Sequence, residues 1–308
     1  MSRAILLLNM GGPSSIKEVE LFLKNMFKDP NILQINPILR KFIGSIIVKK
    51  RVKEAEENYE QIGGKSPLLE ITNSLAKKVS NLTNTPAYPV MRYVPPFATE
   101  VLSNLKRENI DELILFSMYP HYSTTTTKSS IDDIKDVCKK INYNPKIKII
   151  ESYYQNSEYI KIQASLIKDA IKDKNPKDLK LIISAHGLPQ KIIKKGDPYE
   201  EQININKNLL QKELQNINLN FKEVTLAYQS KVGNSAWLEP NLVDILRNPT
   251  NLNVVIFPIS FTIDNSETIF ELDIEHKEIA QKIGYTYYKV VSCPNDSDKF
   301  AKFIASSI

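Results

Sequence analysis

The feature that most constrains the fold is a repeated alternation between short, continuously apolar segments and longer amphipathic ones. Short apolar runs predict strands that are buried on both faces, and segments with a period near 3.6 residues predict helices. Their alternation is typical of parallel sheets covered by helices on both sides. The predicted strands are Ala4–Leu8, Tyr88–Tyr93, Glu112–Phe116, Ile147–Ile150, Lys180–Ala185, Glu223–Ala227, Asn253–Pro258 and Thr286–Val290. The predicted helices are Ile16–Phe27, Leu68–Leu82, Thr99–Arg107, Ser129–Ile141, Glu158–Lys172, Pro198–Leu214 and Glu267–Ile283.

This number of strands suits two doubly wound halves rather than one sheet. We therefore predict an α/β fold made of two Rossmann-like domains, each with its own parallel sheet. The boundary is placed near Glu151, so that residues 1–151 form the first domain and residues 152–290 the second.

Composition narrows the class of protein. The chain has 308 residues, of which 42% are hydrophobic and 25% charged, the balance of a globular protein with a large core. The net charge of +6 comes from scattered lysines, which favours a solvated surface over nucleic-acid binding. No apolar run approaches the roughly 20 residues of a membrane span. The two cysteines, Cys138 and Cys293, form no metal-binding pair and indicate ordinary thiols in a reducing cytosol.

Ligands of such sheets bind beyond the carboxyl ends of the strands, so the residues that follow each strand are candidates for function. Asn9–Pro13 follows the first strand and contains two glycines, but it is not the dinucleotide pattern GxGxxG. His186 follows the strand Lys180–Ala185. Histidine is a common ligand of divalent transition metals and a base near neutral pH, but it is also a frequent structural residue. Both interpretations stay open for His186.

An acidic helix is the strongest local signal. Glu267, Glu271 and Glu275 are spaced by four residues and therefore share one helical face. This face is either merely solvated or a ladder of carboxylates that carries hydrated cations or protons. In a ladder, crowding would raise the pKa values of the carboxyl groups and make them better proton acceptors near neutral pH.

Several segments, each weak alone, together resemble the ferrochelatase family in order and spacing along nearly the whole chain. They are Leu8–Pro13, Gly63–Pro67, Arg92-Tyr93, Tyr119–Ser123, Ser184–Pro189, Lys195–Tyr199, Tyr228–Gly233, Trp237-Leu238 and Phe261–Glu275. The resemblance implies a lyase that inserts Fe²⁺ into protoporphyrin IX, or a closely related porphyrin, to form haem with release of two protons. Within the turn Asn9–Pro13, Met10 is similar to the residue that family members using protoporphyrin have at this position.

The resemblance also implies an architecture and a set of site residues. It implies an active-site cleft between the two domains and a C-terminal segment, residues 291–308, whose helix packs back on the first domain. His186 and Glu267 match the catalytic pair of the metal site, as ligand or as proton acceptor, and Glu271 and Glu275 continue the metal site. The residues implied to contact the porphyrin are Met10, Arg51, Tyr59, Ser66, Arg92, Tyr93 and Tyr119.

The chain departs from parts of the family pattern. Asn265 replaces a second histidine of many members, and Thr124 replaces a cysteine of members that carry an iron–sulfur cluster. The cysteine-rich tail of those members is also missing, so we expect no cluster and no tightly bound cofactor, with Fe²⁺ as substrate. The alternatives are a cobalt or nickel chelatase for another tetrapyrrole, or a non-enzymatic haem or porphyrin carrier. The acidic ladder argues against a carrier, which has no need to move protons or hydrated cations.

One apolar segment suggests a membrane surface. Within residues 37–51, Ile38, Leu39, Phe42, Ile43, Ile46 and Ile47 recur at helical spacing beside basic residues. The segment is either a helix buried against its own domain or a lip over the porphyrin site that touches anionic lipid. We accordingly expect a cytoplasmic protein whose partners are porphyrin and ferrous iron, not nucleic acid, with peripheral contact at the inner face of the membrane.

Overall fold

The computed structural model describes residues 2–231 and 236–308 of the chain. Gly233, in the segment Tyr228–Gly233 used above, lies outside the described residues. The chain divides into two units. Unit 1 comprises Met1–Ser152 together with Asp296–Ile308, and unit 2 comprises Tyr153–Asn295.

Each unit contains a four-stranded parallel sheet. The strands of unit 1 are β1 (Arg3–Asn9), β2 (Ala87–Met91), β3 (Glu112–Ser117) and β4 (Lys146–Ile150), in the order β2-β1-β3-β4. The strands of unit 2 are β5 (Lys180–His186), β6 (Glu223–Gln229), β7 (Asn253–Pro258) and β8 (Tyr287–Val290), in the order β6-β5-β7-β8. The two orders are the same when strands are counted within each unit. The predicted α/β fold with two parallel sheets is confirmed.

Helices connect the strands. The α-helices of unit 1 are α1 (Val19–Lys28), α2 (Pro37–Gln61), α3 (Leu68–Thr83), α4 (Ala98–Arg107), α5 (Ser129–Lys140) and α11 (Asp298–Ser307). Those of unit 2 are α6 (Ser157–Ala170), α7 (Gln190–Lys194), α8 (Tyr199–Asn216), α9 (Leu242–Arg247) and α10 (His276–Ile283). Short 3₁₀ turns cover Ile16–Glu18 and Pro176–Asp178. No helix of the described residues combines the length and apolarity needed to cross a bilayer.

Two helices begin in an unexpected form. Residues Thr124–Lys128, before α5, and Glu267–Glu275, before α10, are π-helical. The predicted helix over Glu267–Ile283 is present, and its first nine residues take the π form. A π-helix differs from an α-helix in its backbone hydrogen-bond register, i to i+5, which side-chain periodicity does not report.

The central strands form the cores of both units. Residues Ala4–Leu7 of β1 and Leu181–Ile183 of β5 are completely buried, which explains their continuous apolar character. Full burial of each Leu or Ile side chain contributes about 1.5–3 kcal/mol. The strand ends, where the polar residues follow, are therefore anchored on a rigid sheet. The helix α11 packs on α3 within unit 1, and Lys78 of α3 pairs with Asp298 at 2.9 Å.

Candidate active site

His186 is the last residue of the buried strand β5. Its backbone N–H donates to the Ser260 hydroxyl at 3.0 Å, and the Tyr199 hydroxyl donates to its backbone carbonyl at 3.0 Å. The next residue is Gly187, where a Cβ atom would lie only 2.7 Å from the Gln229 carbonyl oxygen. Glycine at this position lets the backbone approach β6 closely, and its N–H donates to the same Gln229 carbonyl at 2.8 Å.

The Glu267 carboxylate is the partner of this imidazole. Nδ1 of His186 lies 2.7 Å from Oε2 of Glu267, and both side chains are partly exposed. Burial opposes protonation of His186, but the Glu267 carboxylate outweighs it and raises the pKa of the imidazole. Burial likewise favours the neutral form of Glu267, but the His186 charge prevails and lowers the pKa of the carboxyl group. The contact therefore increases the proton affinity of the imidazole and favours the ionised form of the carboxylate.

Glu271 extends the site by one helical turn. The Ser230 backbone N–H donates to its Oε1 at 2.7 Å, and the Ser230 hydroxyl is hydrogen-bonded to its Oε2. The same hydroxyl lies 3.2 Å from Oε2 of Glu267, so Ser230 joins the two carboxylates. Burial and the nearby Glu267 charge raise the pKa of Glu271 to about 7. This carboxyl group can therefore take up or release a proton near neutral pH.

Local polar contacts hold the start of the π-helix that carries these acids. Asn265 accepts the backbone N–H of Glu267 at 2.8 Å, and the Thr268 hydroxyl donates to Asp264 at 3.0 Å. Asn295 in turn donates to Asp264 at 2.6 Å. The Asn265 side chain thus orients the backbone of Glu267 at the start of the π-helix.

The other end of the acidic helix has a different environment. Glu275 is exposed at the last π-helical position. His276 follows it and is buried, with Nε2 4.0 Å from Oε1 of Glu271. Burial lowers the pKa of His276 to about 4, so this imidazole is neutral near pH 7.

The first porphyrin-contact candidates lie beyond β1 of unit 1. Met10 directly follows the strand and is partly exposed. Gly11 has φ of +85°, and a Cβ atom there would lie 2.5 Å from Val94. Ser66 is buried against Gly12, and its hydroxyl accepts the Leu68 backbone N–H at 3.3 Å at the start of α3. In unit 1, Ser66 is thus a capping and packing residue of this turn.

Arg92 and Tyr93 follow β2. Their backbone N–H groups donate to the carbonyls of Asn9 and Met10, at 2.9 and 3.0 Å, and so extend the pairing with β1. The Tyr93 side chain is buried, and its hydroxyl donates to Asp29 at 3.0 Å. Arg92 pairs with Asp29 and Asp133 at 3.2 and 3.3 Å.

The remaining candidates are spread over unit 1. Tyr119 follows β3 and is partly exposed, and burial is the largest cause of its raised pKa. Tyr59 is buried in the cluster formed by α1 and α2, and Arg51 is partly exposed on α2. The structure thus brings Met10, Arg92 and Tyr93 together at one edge of the sheet, and it buries Tyr59, Ser66 and Tyr93.

Sequence reasoning missed three contributors to the unit 2 site. Ser230 and Gln229 follow the apolar part of β6, and neither was among the predicted site residues. Gln229 lies 3.4 Å from both Glu267 and Glu271 and accepts a hydrogen bond from Ser184 at 2.7 Å. His276 lies beside the acidic ladder and was likewise not among the predicted site residues. The strand-end rule that selected His186 would also have selected Gln229 and Ser230.

Comparisons with known proteins agree along the whole chain. The family model described as Ferrochelatase matches residues 2–308. A ferrochelatase of Campylobacter concisus (strain 13826) is 50% identical over 307 residues, which cover 99% of this chain and 96% of the relative. A ferrochelatase of Wolinella succinogenes is 46% identical over 310 residues, covering 100% of this chain and 98% of the relative.

Solved structures support the fold. SirB from Bacillus subtilis with Fe³⁺ aligns with a TM-score of 0.59 at 12% identity, covering 100% of this chain and 95% of that one. CbiX, described as the terminal enzyme for biosynthesis of siroheme in denitrifying bacteria, aligns with a TM-score of 0.56 at 12% identity, covering 100% and 97%. At such identities the likeness concerns the fold alone. The matches at the level of sequence go further, and by them the chain belongs to the ferrochelatase family.

Proposed function

We propose that His186 and Glu267 are the catalytic pair of the reaction that this chain performs as a ferrochelatase, the insertion of ferrous iron into a porphyrin to make haem. The reaction is that of a lyase, and it forms the metal–nitrogen bonds while two pyrrole N–H protons leave. The observation that carries the assignment is the 2.7 Å contact between Nδ1 of His186 and Oε2 of Glu267, at a strand end.

The charges of the pair suit proton acceptance. Glu267 raises the pKa of His186, so the imidazole gains affinity for a proton when the carboxylate is ionised. Because Nδ1 faces Glu267, we assign Nε2 to the substrate. Proton transfer to a base whose pKa lies near the working pH contributes typically 10²–10⁴-fold to a rate.

A route for the released protons continues along the acidic helix. The Ser230 hydroxyl contacts both Glu267 and Glu271, which connects the pair to a carboxyl group with a pKa of about 7. A proton taken up at His186 can pass through Glu267 and Ser230 to Glu271. Glu275, at the last position of the same π-helical segment, is exposed to solvent.

The same donors suit ferrous iron as a transient cargo. Imidazole nitrogen and carboxylate oxygen bind divalent first-row metals without strong discrimination among them. Glu271 and Glu275 supply further oxygen ligands one and two helical turns from Glu267. We place incoming Fe²⁺ on this ladder before transfer to the macrocycle, with Met10, Arg51, Tyr59, Ser66, Tyr93 and Tyr119 forming or supporting the porphyrin-binding surface.

The direct test is spectroscopic. Purified protein is incubated anaerobically with porphyrin and Fe²⁺, and the absorption bands of the free porphyrin are followed as they are replaced by those of haem. Catalytic turnover is the expected result. Binding of porphyrin without turnover would instead indicate a carrier, and turnover confined to Co²⁺ or Ni²⁺ would indicate another chelatase. Running protoporphyrin and coproporphyrin side by side tests the preference for protoporphyrin that Met10 suggests.

A second proposal concerns the surface of α2. Its first three turns expose a row of large apolar side chains, with Ile38 81% and Phe42 67% exposed. The other face packs on α1, where Gly44 approaches the Phe27 carbonyl and Val48 is buried. The exposed row argues against the alternative that the whole apolar face is buried in its own domain. Exposed members of the row are Ile38, Leu39, Phe42, Ile43 and Ile46.

Charge favours an anionic membrane as the occupant of this surface. Between residues 37 and 53 the only charged side chains are basic, namely Arg40, Lys41, Lys49, Lys50, Arg51 and Lys53. An apolar row flanked by cations is the pattern of a helix that lies in the headgroup region of anionic bilayers. We therefore propose peripheral membrane contact through residues 37–51, by which a poorly soluble porphyrin reaches the protein without crossing water.

The membrane proposal is tested with the double variant Phe42→Ser/Ile46→Ser. Both side chains are exposed, so the variant is expected to fold, to bind anionic vesicles less tightly and to show a higher KM for vesicle-borne porphyrin with unchanged iron dependence. The matched control is Leu82→Ser/Leu252→Ser, which removes two apolar side chains of 48% and 40% exposure elsewhere. Equal vesicle binding by both double variants and the wild type would refute the membrane contact.

A further inference from the structure

A buried carboxylate of unit 1, Asp29, collects donors from several elements. It follows α1 directly and is only 2% exposed. Its Oδ2 accepts from the Tyr93 hydroxyl at 3.0 Å, from Nη2 of Arg92 at 3.2 Å and from the Ser129 hydroxyl. Its Oδ1 accepts the Asn31 backbone N–H at 2.7 Å. Asp29 therefore ties the end of α1 to the residues that follow β2 and to the start of α5.

Arg92 has all three of its guanidinium nitrogens engaged within the same unit. Nη2 contacts Asp29, Nη1 lies 3.3 Å from Oδ1 of Asp133, and Nε donates to the Ser129 hydroxyl at 3.0 Å. Two carboxylates thus face one guanidinium. A carboxylate of the substrate would meet Asp29 and Asp133 together with Arg92, so this cluster offers an anion no net attraction.

The cluster also controls the backbone beside Met10. The Arg92 and Tyr93 N–H groups donate to the carbonyls of Asn9 and Met10, so the path of the chain after β2 is coupled to the path after β1. Asn25 adds a hydrogen bond of 2.9 Å to the Tyr93 carbonyl. Movement of Arg92 or Tyr93 would therefore displace Met10, which we place at the porphyrin.

We infer that Asp29 and Arg92 form a positioning pair that holds Tyr93 and the Met10 turn in place, and that Arg92 does not itself bind a carboxylate of the porphyrin. The inference rests on the proposed function, because Met10 is assigned to the porphyrin there. The family resemblance implied that Arg92 contacts the porphyrin, and the inference departs from that expectation. It also adds Asp29 to the residues on which the reaction depends.

A double-mutant cycle read out on two substrates tests the pair. The variants are Asp29→Asn, Arg92→Met and the double variant, and the substrates are a porphyrin dicarboxylate and its dimethyl ester. Each single variant is expected to raise KM about tenfold for both substrates, the scale of one lost charge-assisted hydrogen bond, with a smaller change in kcat. The double variant should be no worse than the more severe single variant, because the two residues act as one unit.

A direct ligand role gives the opposite pattern. If Arg92→Met raises KM for the dicarboxylate but not for the ester, or if the effects of the two single variants multiply, the positioning pair is refuted. If the Asp29→Asn variant fails to fold, the Asp133→Asn variant provides the test instead, since the Asp133 side chain is 25% exposed. It should raise KM for both substrates, and an unchanged KM for both would refute the pair.

Two controls separate the possible failures. Asp132→Asn removes a neighbouring carboxylate of α5 that pairs with Lys128 instead, and it should leave both KM values unchanged. A rise in KM equal to that of Asp133→Asn would refute the specific role of the cluster. Absence of turnover in the wild-type protein would refute the proposed function itself. If the wild type is active and Arg92→Met raises KM for the dicarboxylate but not for the ester, only the positioning pair is refuted.

Discussion

At the scale of single residues, His186 is held by its backbone and by its side chain. Ser260 and Tyr199 fix the backbone at the end of β5, and Glu267 fixes Nδ1. The imidazole is therefore oriented before substrate arrives, which lowers the cost of reaching a productive geometry. The His186 side chain is 35% exposed, so its truncation removes only part of a buried surface.

We expect His186→Ala to lower kcat by at least ~10²-fold, since it removes the side chain that we propose as the base or first metal ligand of the reaction. The melting curve should remain that of the wild type, because the truncated atoms belong to a partly exposed ring. Turnover is measured from the appearance of the haem absorption bands. Near-normal turnover in a protein with wild-type melting would exclude His186 from the mechanism.

Two neighbouring groups, Glu271 and His276, give opposite pH dependences of stability. Burial lowers the pKa of His276 from 6.5 to about 4, so the unfolded chain binds a proton that the folded chain excludes, and stability is lost as the pH falls through this range. The pKa of Glu271 is raised from 4.5 to about 7, so the folded chain holds the extra proton, and stability is gained as the pH falls from 7 to 4.5. Each effect amounts to about 3 kcal/mol over its full range.

We therefore expect their contributions to offset each other between pH 4.5 and 6.5 in the metal-free wild type. In the Glu271→Gln variant only the His276 contribution remains, so the free energy of unfolding should fall with falling pH across this window. In the His276→Leu variant only the Glu271 contribution remains, so the free energy of unfolding should rise with falling pH across the same window. Urea unfolding midpoints across the window provide the measurement, and parallel pH profiles for both variants would contradict these assignments.

At the scale of elements, the strands were predictable and the form of the acidic helix was not. All eight predicted strands are present. In the central strands, burial on both faces demands apolar residues at every position, as in Leu181–Ile183, whereas the edge strands β4 and β8 are only partly buried. The short helices α7 and α9 have five and six residues, too few to establish a helical period. The π-helical form depends on backbone register, and the Ser230 bridge depends on residues 37 and 41 positions away. Neither feature leaves a local pattern.

The acidic helix predicts a graded series of variants. Glu267 contacts His186, Glu271 contacts Ser230, and Glu275 is exposed at the last π-helical position. We expect Glu267→Gln to lower kcat by about 10²-fold or more, Glu271→Gln to have a smaller effect and Glu275→Gln the smallest. Substitution by Gln preserves size and removes charge, so the series isolates the role of the carboxylates.

The series is measured as kcat and as KM for Fe²⁺, with Glu278→Gln as the matched control. Glu278 is an exposed acid on α10 that pairs with Lys282 at 3.8 Å, and its loss should not affect either constant. Three ladder variants that all behave like this control would show that the acidic face is only solvated.

At the scale of the whole molecule, the chain uses one strand order twice with different residues at the strand ends. In both units a π-helical segment follows the third strand, at Thr124–Lys128 and at Glu267–Glu275. At its strand ends, unit 2 presents His186 and the carboxylates of the acidic helix. At its strand ends, unit 1 presents Met10, a tight glycine turn and the Asp29–Arg92 cluster. The same topology thus carries the proposed metal and proton site in one unit and the proposed porphyrin surface in the other. Sequence could predict the fold of both units but not that Arg92 is occupied by two acids.

The distribution of cysteines over the whole molecule leads to the last prediction. The chain has two cysteines, Cys138 in unit 1 and Cys293 in unit 2, and both are buried as free thiols. Burial raises the pKa of each thiol, whereas cluster ligands must be thiolates, and a [2Fe–2S] or [4Fe–4S] cluster is ordinarily held by four cysteines. We expect anaerobically purified protein to contain no stoichiometric acid-labile sulfide, even when substrate iron copurifies. Sulfide assayed together with iron is the decisive measurement, and equal amounts of both, persisting in a Cys138→Ser/Cys293→Ser variant, would reveal a cluster with other ligands.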